Sequence, residues 1–284
     1  MSPAQPAPPA AGAVREALDA ATTAIGAAGS ESPRLDAELL LSEATGLDRA
    51  RLAADPRAGI EPAAARRFGL MVRRRVMREP LAYILGRKGF RRLELAVDGR
   101  ALIPRPETEL LVEVALELSP RRVLDVGTGS GAVALAVADE SPEATVVATD
   151  ASTGALALAH ENAARLGLED RLRLQEGTLP VAETFDAVLA NLPYVAEAEY
   201  AGLAPEITRF EPREALVAGL TGLEAIEGLL GALSRGECET NAIALEVGLG
   251  QSGAVADLVR RAGFDRVESR PDLAGIQRVV VGQR

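Results

Sequence analysis

The feature that most constrains the fold of this 284-residue chain is a glycine-rich loop between a predicted strand and a predicted helix. Residues 123–126 form a short apolar strand, and residues 132–138 form an apolar helix. The loop between them reads Gly127-Thr128-Gly129-Ser130-Gly131. Glycines here let the backbone turn sharply and approach a ligand closely. A strand, a glycine loop and a helix in this order indicate an α/β fold with a doubly wound sheet.

The alternation of strands and helices continues to the C-terminus. We predict further strands at residues 144–149, 172–175, 187–190, 242–247, 266–269 and 278–281, and further helices at 153–166, 222–233 and 254–262. Strands separated by helices pair in parallel through right-handed crossovers. The pattern therefore predicts a mostly parallel, seven-stranded, Rossmann-like sheet over residues 105–284.

The chain before this sheet follows a different pattern. Apolar residues recur at helical spacing over residues 13–79, which predicts a small helical domain. Leu93 and Leu95 alternate with polar residues after a Glu-Pro breaker, which predicts a hairpin connector over residues 80–104. Residues 1–12 are mostly Pro and Ala without a basic region, so we expect a disordered tail and not a signal peptide.

Charge is distributed unevenly along the chain. The whole sequence carries 31 basic and 41 acidic residues, a net charge of −10, which disfavours a protein that coats nucleic acid. Residues 49–92 nevertheless hold twelve arginines and one lysine against three acidic residues, a net charge of +10. This basic stretch is either a solvated helical face or a docking surface for an acidic protein partner.

Several classes of protein are disfavoured by what the sequence lacks. A single cysteine, Cys238, and a single histidine, His160, leave no internal disulfide and no recognised zinc-ligand spacing. The uninterrupted apolar runs fall far short of the roughly 20 residues that span a bilayer. We therefore expect a cytoplasmic protein, without a metal and not in a membrane, and we expect a monomer.

An acidic residue after the glycine loop indicates a nucleoside ligand. Asp150 follows Gly131 by nineteen residues, at the end of the next predicted strand. A carboxylate at this position can bind both hydroxyls of a ribose. The purely structural alternative is that the glycines only form a tight turn and Asp150 only caps a helix.

Three features bear on which nucleoside is bound. The loop also satisfies the dinucleotide fingerprint, so a nicotinamide cofactor is one possibility. Asp125, however, would repel a pyrophosphate and attract the amino group of a methionine moiety, which S-adenosylmethionine has. The segment Asn191-Leu192-Pro193-Tyr194 follows the fourth predicted strand, at the sheet edge where such folds bind ligands. An amide on a rigid turn beside an aromatic ring can bind a planar NH2 group.

These residues resemble a class I S-adenosylmethionine-dependent methyltransferase. The segment 191–194 is similar to the Asn-Pro-Pro-Tyr motif of enzymes that methylate planar nitrogens, with Leu192 in place of the first proline. Ribosomal RNA adenine dimethyltransferases also carry Asn-Leu-Pro-Tyr. This motif alone therefore leaves glutamine and adenine open as substrates.

Further segments narrow the resemblance to one family. They are Glu-Pro-Leu-Ala-Tyr-Ile-Leu-Gly at 79–86, Leu-Ile-Pro-Arg-Pro-Glu-Thr-Glu at 102–109, Phe-Glu-Pro-Arg at 210–213 and Gly-Leu at 222–223. Together they strongly resemble the bacterial release factor glutamine methyltransferases, from about residue 79 to the C-terminus. The adenine dimethyltransferases, in contrast, place their small helical domain last.

The resemblance implies a reaction, a partner and a set of site residues. The reaction is methyl transfer from S-adenosylmethionine to the side-chain amide nitrogen (N5) of the glutamine in the Gly-Gly-Gln motif of peptide chain release factors, which the helical domain would help to recognise. We expect no stable nucleic-acid binding, and adenine dimethylation of ribosomal RNA is the alternative. The implied catalytic residues are Asn191, Leu192, Pro193 and Tyr194. The implied cofactor residues are Asp125, Gly127, Thr128, Gly129, Ser130, Gly131, Asp150, Glu176, Thr178 and Asn191.

Roles within this set follow from the same resemblance. Asn191 and the main-chain carbonyl of Leu192 would accept the two N–H groups of the substrate amide. Tyr194 would pack against that amide, or would only fill space under the turn. The segment 102–109 would lie over the cofactor, besides initiating a helix.

Overall fold

A computed structural model describes residues 13–180 and 182–284, so the predicted tail at residues 1–12 lies outside the described residues. The chain divides into two compact units, the first ending at Leu85 and the second beginning at Gly86. Within the described residues, none of the helices combines the length and apolar character needed to cross a membrane.

The first unit is helical. Its helices are α1 (Val14–Ala27), α2 (Pro33–Thr45), α3 (Arg49–Ala54), α4 (Pro62–Val76) and α5 (Leu81–Leu85). Proline occupies the first turn of α2 and α4, where its missing N–H has no intrahelical acceptor. The core of this unit contains Ile25, Leu40 and Phe68, and a buried ion pair joins Arg75 Nε to Asp36 Oδ2 at 2.7 Å.

The start of the predicted connector over residues 80–104 is wrong, because residues 81–85 form α5 and belong to the first unit. The Pro80 carbonyl accepts hydrogen bonds from Tyr83 N and Ile84 N, at 3.0 and 3.1 Å. Proline lacks an N–H but retains its carbonyl, so it begins this helical turn and does not interrupt it. The predicted hairpin follows as β1 (Arg87–Phe90) paired antiparallel with β2 (Leu93–Ala96).

The second unit is built around a seven-stranded sheet. The sheet strands are β3 (Arg122–Val126), β4 (Thr145–Asp150), β5 (Leu172–Glu176), β6 (Glu183–Ala190), β9 (Cys238–Glu246), β10 (Arg266–Pro271) and β11 (Gln277–Gln283), and a small separate pair is formed by β7 (Val195–Ala196) and β8 (Val217–Gly219). The helices are α6 (Glu109–Leu118), α7 (Ala132–Glu140), α8 (Thr153–Leu166), α9 (Pro205–Phe210), α10 (Glu224–Ser234) and α11 (Ser252–Arg261). The strand order is β10-β11-β9-β6-β3-β4-β5, parallel except where β11 pairs with β9 and β10. The predicted α/β class and sheet are thereby confirmed.

Several elements differ from the predicted ones. Strands β6 and β9 begin at Glu183 and Cys238 and not at residues 187 and 242, because residues 183–184 pair with residues 238–239 although most of these side chains are polar. Helix α9 and the pair β7 and β8 were not predicted. They are short and have no apolar periodicity, and the β7 to β8 pairing depends on contacts across about twenty residues.

The sheet topology determines where the site forms. Strand β3 lies between β6 and β4, so the chain runs from β3 to β4 and β5 on one side and then crosses to β6 on the other. Crevices form at such a switch point, beyond the carboxyl ends of the strands. The glycine loop after β3, Asp150 on β4, Asn191 after β6 and Glu246 on β9 all occupy this edge.

Candidate active site

A cavity of about 500 Å³ lies at this edge, within the second unit. Its wall is formed by the glycine loop, the end of β4 and the turn after β6, together with the irregular chain before α6 and after α9. The lining residues used below are Ile103, Arg105, Thr108, Asp125, Gly127, Thr128, Gly129, Ser130, Asp150, Gly177, Thr178, Asn191, Leu192 and Pro193. The structure thus brings together most of the residues predicted from sequence.

Two glycines of the loop are required for different reasons. At Gly127, φ is +74°, and an added Cβ would lie 3.1 Å from Leu192 Cδ2 and 3.5 Å from the Asn191 carbonyl oxygen. At Gly131, φ is +85°, and a Cβ would lie 2.9 Å from Leu135 Cδ1. Gly127 therefore allows the loop to approach the 191–194 turn. Gly131 allows α7 to pack closely and does not itself line the cavity.

Asp150 connects the loop to the cavity wall. Its Oδ2 accepts a hydrogen bond from Gly129 N at 2.9 Å, and its Oδ1 accepts one from Ser152 N at 2.8 Å. Each carboxylate oxygen has a second lone pair, so both can accept another hydrogen bond. Two acceptors on one carboxylate at the cavity fit the adjacent hydroxyls of a ribose.

Asp125 is a buried acid in the cavity wall, with 2% of its surface exposed. Its Oδ2 accepts hydrogen bonds from Thr128 Oγ1 at 2.7 Å and from Ala134 N at 3.2 Å. Burial raises the pKa of this carboxyl to about 7, and the charge of Asp150 acts in the same direction. A cation bound beside Asp125 would stabilise the ionised form, which fits the amino group of a methionine moiety.

The residues after β5 contribute differently from the prediction. Gly177 and Thr178 line the cavity, whereas Glu176 is exposed and does not. Glu176 is the last residue of β5 and pairs with Asp150 in register. The chain then turns at Gly177, where φ is +115°, and this turn brings Thr178 to the cavity. The structure therefore places Thr178, and not Glu176, in the cavity wall, and a cofactor contact of Glu176 stays a prediction.

The amide of Asn191 has one partnered and one unpartnered end. Its Nδ2 donates a hydrogen bond to Thr108 Oγ1 at 3.0 Å. Its Oδ1 has no hydrogen-bond partner among the described residues. Because Asn191 lines the cavity, this oxygen is available as an acceptor there.

The neighbours of Asn191 in the turn are held by packing. Leu192 is 8% exposed and belongs to the apolar core that contains Leu124 and Ile226. Tyr194 does not line the cavity, because its ring lies against Gly248, where an added Cβ would be 3.1 Å from Tyr194 Cδ2. Burial raises the pKa of Tyr194 to about 12. This placement favours the interpretation of Tyr194 as support for the turn, and its contact with a substrate stays a prediction.

Sequence reasoning missed three buried residues of this site. Glu211 is 6% exposed and accepts hydrogen bonds from Ile103 N at 3.1 Å and from Arg105 Nη2 at 2.5 Å. Thr108 and Glu246 are buried behind Asn191. The segments 102–109 and 210–213 were recognised separately from their resemblance to a family. No signal within either segment indicated that they contact each other.

No group of His, Cys, Asp and Glu residues in the described parts of the chain could hold a metal ion. Cys238 is buried, which raises its pKa to about 11. The described cavity offers amide and carboxylate acceptors for a ligand.

Comparison with known proteins identifies relatives of both units. Residues 16–86 match the family described as PrmC N-terminal domain, and residues 106–209 match the Methyltransferase small domain. The catalytic domain of hMettl16 in complex with the MAT2A 3'UTR hairpin 6 superposes with a TM-score of 0.56 at 15% identity, covering 66% of this chain and 74% of that one. At this identity the likeness supports the methyltransferase fold alone.

Three full-length relatives carry the same name, Release factor glutamine methyltransferase. The protein of Cereibacter sphaeroides is 41% identical over 267 residues, which are 93% of this chain and 96% of that protein. The protein of Moorella thermoacetica is 42% identical over 95% of this chain and 98% of its own length. The protein of Bordetella pertussis is 43% identical over 88% and 94%. Identity of this extent over most of the chain means that this chain belongs to the release factor glutamine methyltransferase family.

Proposed function

We propose that this chain transfers a methyl group from S-adenosylmethionine to the side-chain amide nitrogen (N5) of the glutamine in the Gly-Gly-Gln segment of peptide chain release factors. The observation that carries this proposal is the Asn191 amide, whose Nδ2 is held by Thr108 while its Oδ1 is left as an acceptor at the cavity. The names of the full-length relatives support a glutamine substrate. None of these relatives supports adenine dimethylation.

The residues of the cavity fit S-adenosylmethionine. Asp150 offers acceptors for the ribose, Asp125 offers a buried carboxylate for the amino group, and the glycine loop allows close approach of the backbone. When bound, the cofactor supplies an electrophilic methyl group on a sulfonium sulfur. We assign Thr178, and not Glu176, to the end of the cavity near β5.

The amide nitrogen of the substrate is a poor nucleophile, and the protein must position it for the reaction. An amide nitrogen has its lone pair delocalised into the carbonyl, so it must be held in line and close to the methyl group. Asn191 Oδ1 and the Leu192 carbonyl would each accept one N–H of the substrate amide. Both acceptors would stabilise the positive charge that develops on nitrogen. The protonated product amide is acidic enough to lose its proton afterwards, so no general base is needed before the attack.

Packing of the Leu192 side chain holds the backbone of this turn in place, whereas a proline ring would hold it by fixing φ. The side chain is anchored in the apolar core and contacts the Gly127 position. The Leu192 backbone N–H donates no hydrogen bond to any described residue, so a proline would forfeit none here. We infer that the carbonyl of residue 192 stays preorganised in spite of the substitution.

The part of the basic stretch that lies on α4 of the first unit supports docking of an acidic partner. Of Arg73, Arg74 and Arg75, the last is buried and paired with Asp36, and Arg74 is paired with Glu79 at 2.6 Å. Arg66 and Arg73 are exposed on α4 and have no ion pair within the described residues. These two side chains are the docking candidates on α4.

The decisive experiment is mass spectrometry of a purified release factor incubated with this protein and S-adenosylmethionine, beside a ribosomal RNA control. We expect one added methyl group on the Gly-Gly-Gln glutamine and none on the RNA. Labelled RNA with an unmodified release factor would overturn the proposal.

We further propose that the protein acts in the cytoplasm as a monomer and does not bind nucleic acid stably. Sedimentation with and without RNA tests the oligomeric state and the RNA binding.

A further inference from the structure

Behind Asn191, a short chain of polar side chains leads away from the cavity. Asn191 Nδ2 donates to Thr108 Oγ1 at 3.0 Å, and the Thr108 hydroxyl faces the carboxylate of Glu246, whose pKa it lowers as a hydrogen-bond donor. Thr108 is 4% exposed and Glu246 is 2% exposed. The three residues come from the start of α6, the turn after β6 and the end of β9, so only the fold brings them together.

The positions of the protons determine which group donates and which accepts in this chain of polar side chains. An ionised carboxylate has no proton, so it only accepts. The single proton of the Thr108 hydroxyl is then committed to Glu246, which leaves the Thr108 oxygen as an acceptor. The only end of the Asn191 amide that can donate to this oxygen is Nδ2. The opposite end, Oδ1, is then presented to the cavity.

This chain of polar side chains ends at Glu246. Glu246 Oε2 is buried and has no hydrogen-bond partner among the described atoms, so the contact with Thr108 is the carboxylate's link to the site. Charged or titratable groups around Glu246 are Glu107, Arg105, Arg278 and Tyr194. A buried acid with one free oxygen is costly to maintain, which argues for a role beyond packing.

We propose that Thr108 and Glu246 are positioning residues that hold the Asn191 amide with Oδ1, and not Nδ2, facing the substrate. The consequence for catalysis rests on the proposed function, whereas the orientation of the amide does not. With Nδ2 facing the cavity, Asn191 would offer a donor to an N–H group and could not bind it. Two buried residues that do not touch the substrate would thus select the productive rotamer.

Protonation of Glu246 would remove this selection. A neutral carboxyl can donate to Thr108, whose own proton can then be given to Asn191 Oδ1, and this arrangement favours the flipped amide. Burial raises the pKa of Glu246 to about 7, with Glu107 acting in the same direction and Arg105 and Arg278 opposing it. We therefore expect kcat to fall as the pH decreases through this range.

The first test compares Thr108→Val with Thr108→Ser. Valine keeps the volume but has no hydroxyl, so kcat on the release factor should fall by about tenfold to a hundredfold. KM and the Kd for S-adenosylmethionine should stay within about twofold, and serine should restore most of kcat. Thr240→Val is the matched control, since Thr240 is equally buried on β9 but lies at its opposite end. Wild-type kcat in Thr108→Val, or an equal loss in Thr240→Val, would overturn the proposal.

A second readout does not depend on activity. In 15N-labelled protein, the Asn191 side-chain NH2 signal, identified by its loss in Asn191→Asp, should show contacts to the Thr108 methyl group and slow exchange with water. The slow exchange, compared at one pH, should be lost in Thr108→Val, and in the wild-type protein the contacts with the Thr108 methyl group should weaken as the pH falls through about 7. Glu246→Gln should remove this pH dependence, whereas the exposed Glu239→Gln should retain it.

Measuring both methylation and the Asn191 NH2 signal tests the proposed function separately from the orientation of the amide. If the wild-type protein does not methylate a release factor but the NH2 signal behaves as described, the proposed function fails and the orientation stands. If methylation occurs but the signal shows no contact with Thr108, the positioning role fails alone.

Discussion

The two halves of the cavity are built in different ways. The cofactor half, formed by Asp125, the glycine loop and Asp150, comes from a single strand-loop-helix-strand segment. The acceptor half, formed by Asn191, Leu192, Thr108, Glu211 and Glu246, comes from segments that are 20 to 140 residues apart. The first half is encoded locally and is readable as a motif. The second half exists only when the sheet and its loops have assembled, so its residues depend on one another.

Loss of the Asn191 amide should have the largest effect. Asn191→Ala removes an acceptor that acts on the developing charge, so kcat should fall by about a hundredfold to a thousandfold. The Kd for S-adenosylmethionine, measured by calorimetry, should stay within about twofold. If cofactor affinity fell as much as kcat, the division into two halves would be wrong.

Loss of Asp150 should produce the opposite pattern. Asp150→Ala removes a charged acceptor of hydrogen bonds from the ribose hydroxyls, so the Kd for the cofactor should rise by about tenfold to a hundredfold. At saturating cofactor, kcat should change little. Asp139→Ala, an exposed acid on α7, serves as the control in the same titration. Unchanged affinity in Asp150→Ala would contradict the ribose assignment.

Truncation of Leu192 tests whether packing positions the acceptor half. Leu192→Ala should lower the free energy of unfolding by about 2 to 3 kcal/mol and should lower kcat by about tenfold. Leu230→Ala, in the same apolar core but away from the cavity, should lose similar stability in chemical denaturation while retaining kcat. Equal kcat values for the two variants would show that Leu192 contributes only to the core.

The pH dependence of cofactor binding should report on Asp125. Its raised pKa of about 7 means that the free protein is increasingly protonated below that pH, and the protonated form offers no charge to an ammonium group. Cofactor affinity should therefore be roughly fivefold to tenfold weaker at pH 6 than at pH 7.5. Asp125→Asn keeps an acceptor for Thr128 and should flatten this dependence. A flat wild-type titration would remove Asp125 from the cofactor half.

The smallest effect is expected at the basic surface of the first unit. Reversing Arg66 and Arg73 to glutamate should slow association with the release factor by a few-fold and weaken its salt dependence, because rim charges act mainly on the association rate. Arg261 and Arg266, exposed in the second unit, provide the matched reversal. Equal association rates for both pairs, measured at low salt, would leave the basic stretch as a solvated face.

The features that could be predicted from the sequence are also those that are encoded locally. The predicted strands at residues 123–126 and 172–175 and the helix at 153–166 agree with β3, β5 and α8 to within one residue. Their apolar periodicity is local and strong. Helix α5 was missed because a proline that begins a helical turn looks like a breaker. Glu176 was placed at the site by its position in the sequence, but the turn at Gly177 brings Thr178 to the cavity instead.

The sequence by itself determined the sheet, the glycine loop and the acids that fit a nucleoside with a charged amino group, because each depends on residues close together in the chain. Only the tertiary structure decided which side chains stand behind Asn191 and hold Leu192 and Ile103. Thr108, Glu211 and Glu246 are ordinary polar residues in the sequence. Burial within the folded site removes water as their partner, so each depends on the groups that the fold brings to it, such as Asn191 for Thr108 and Arg105 for Glu211.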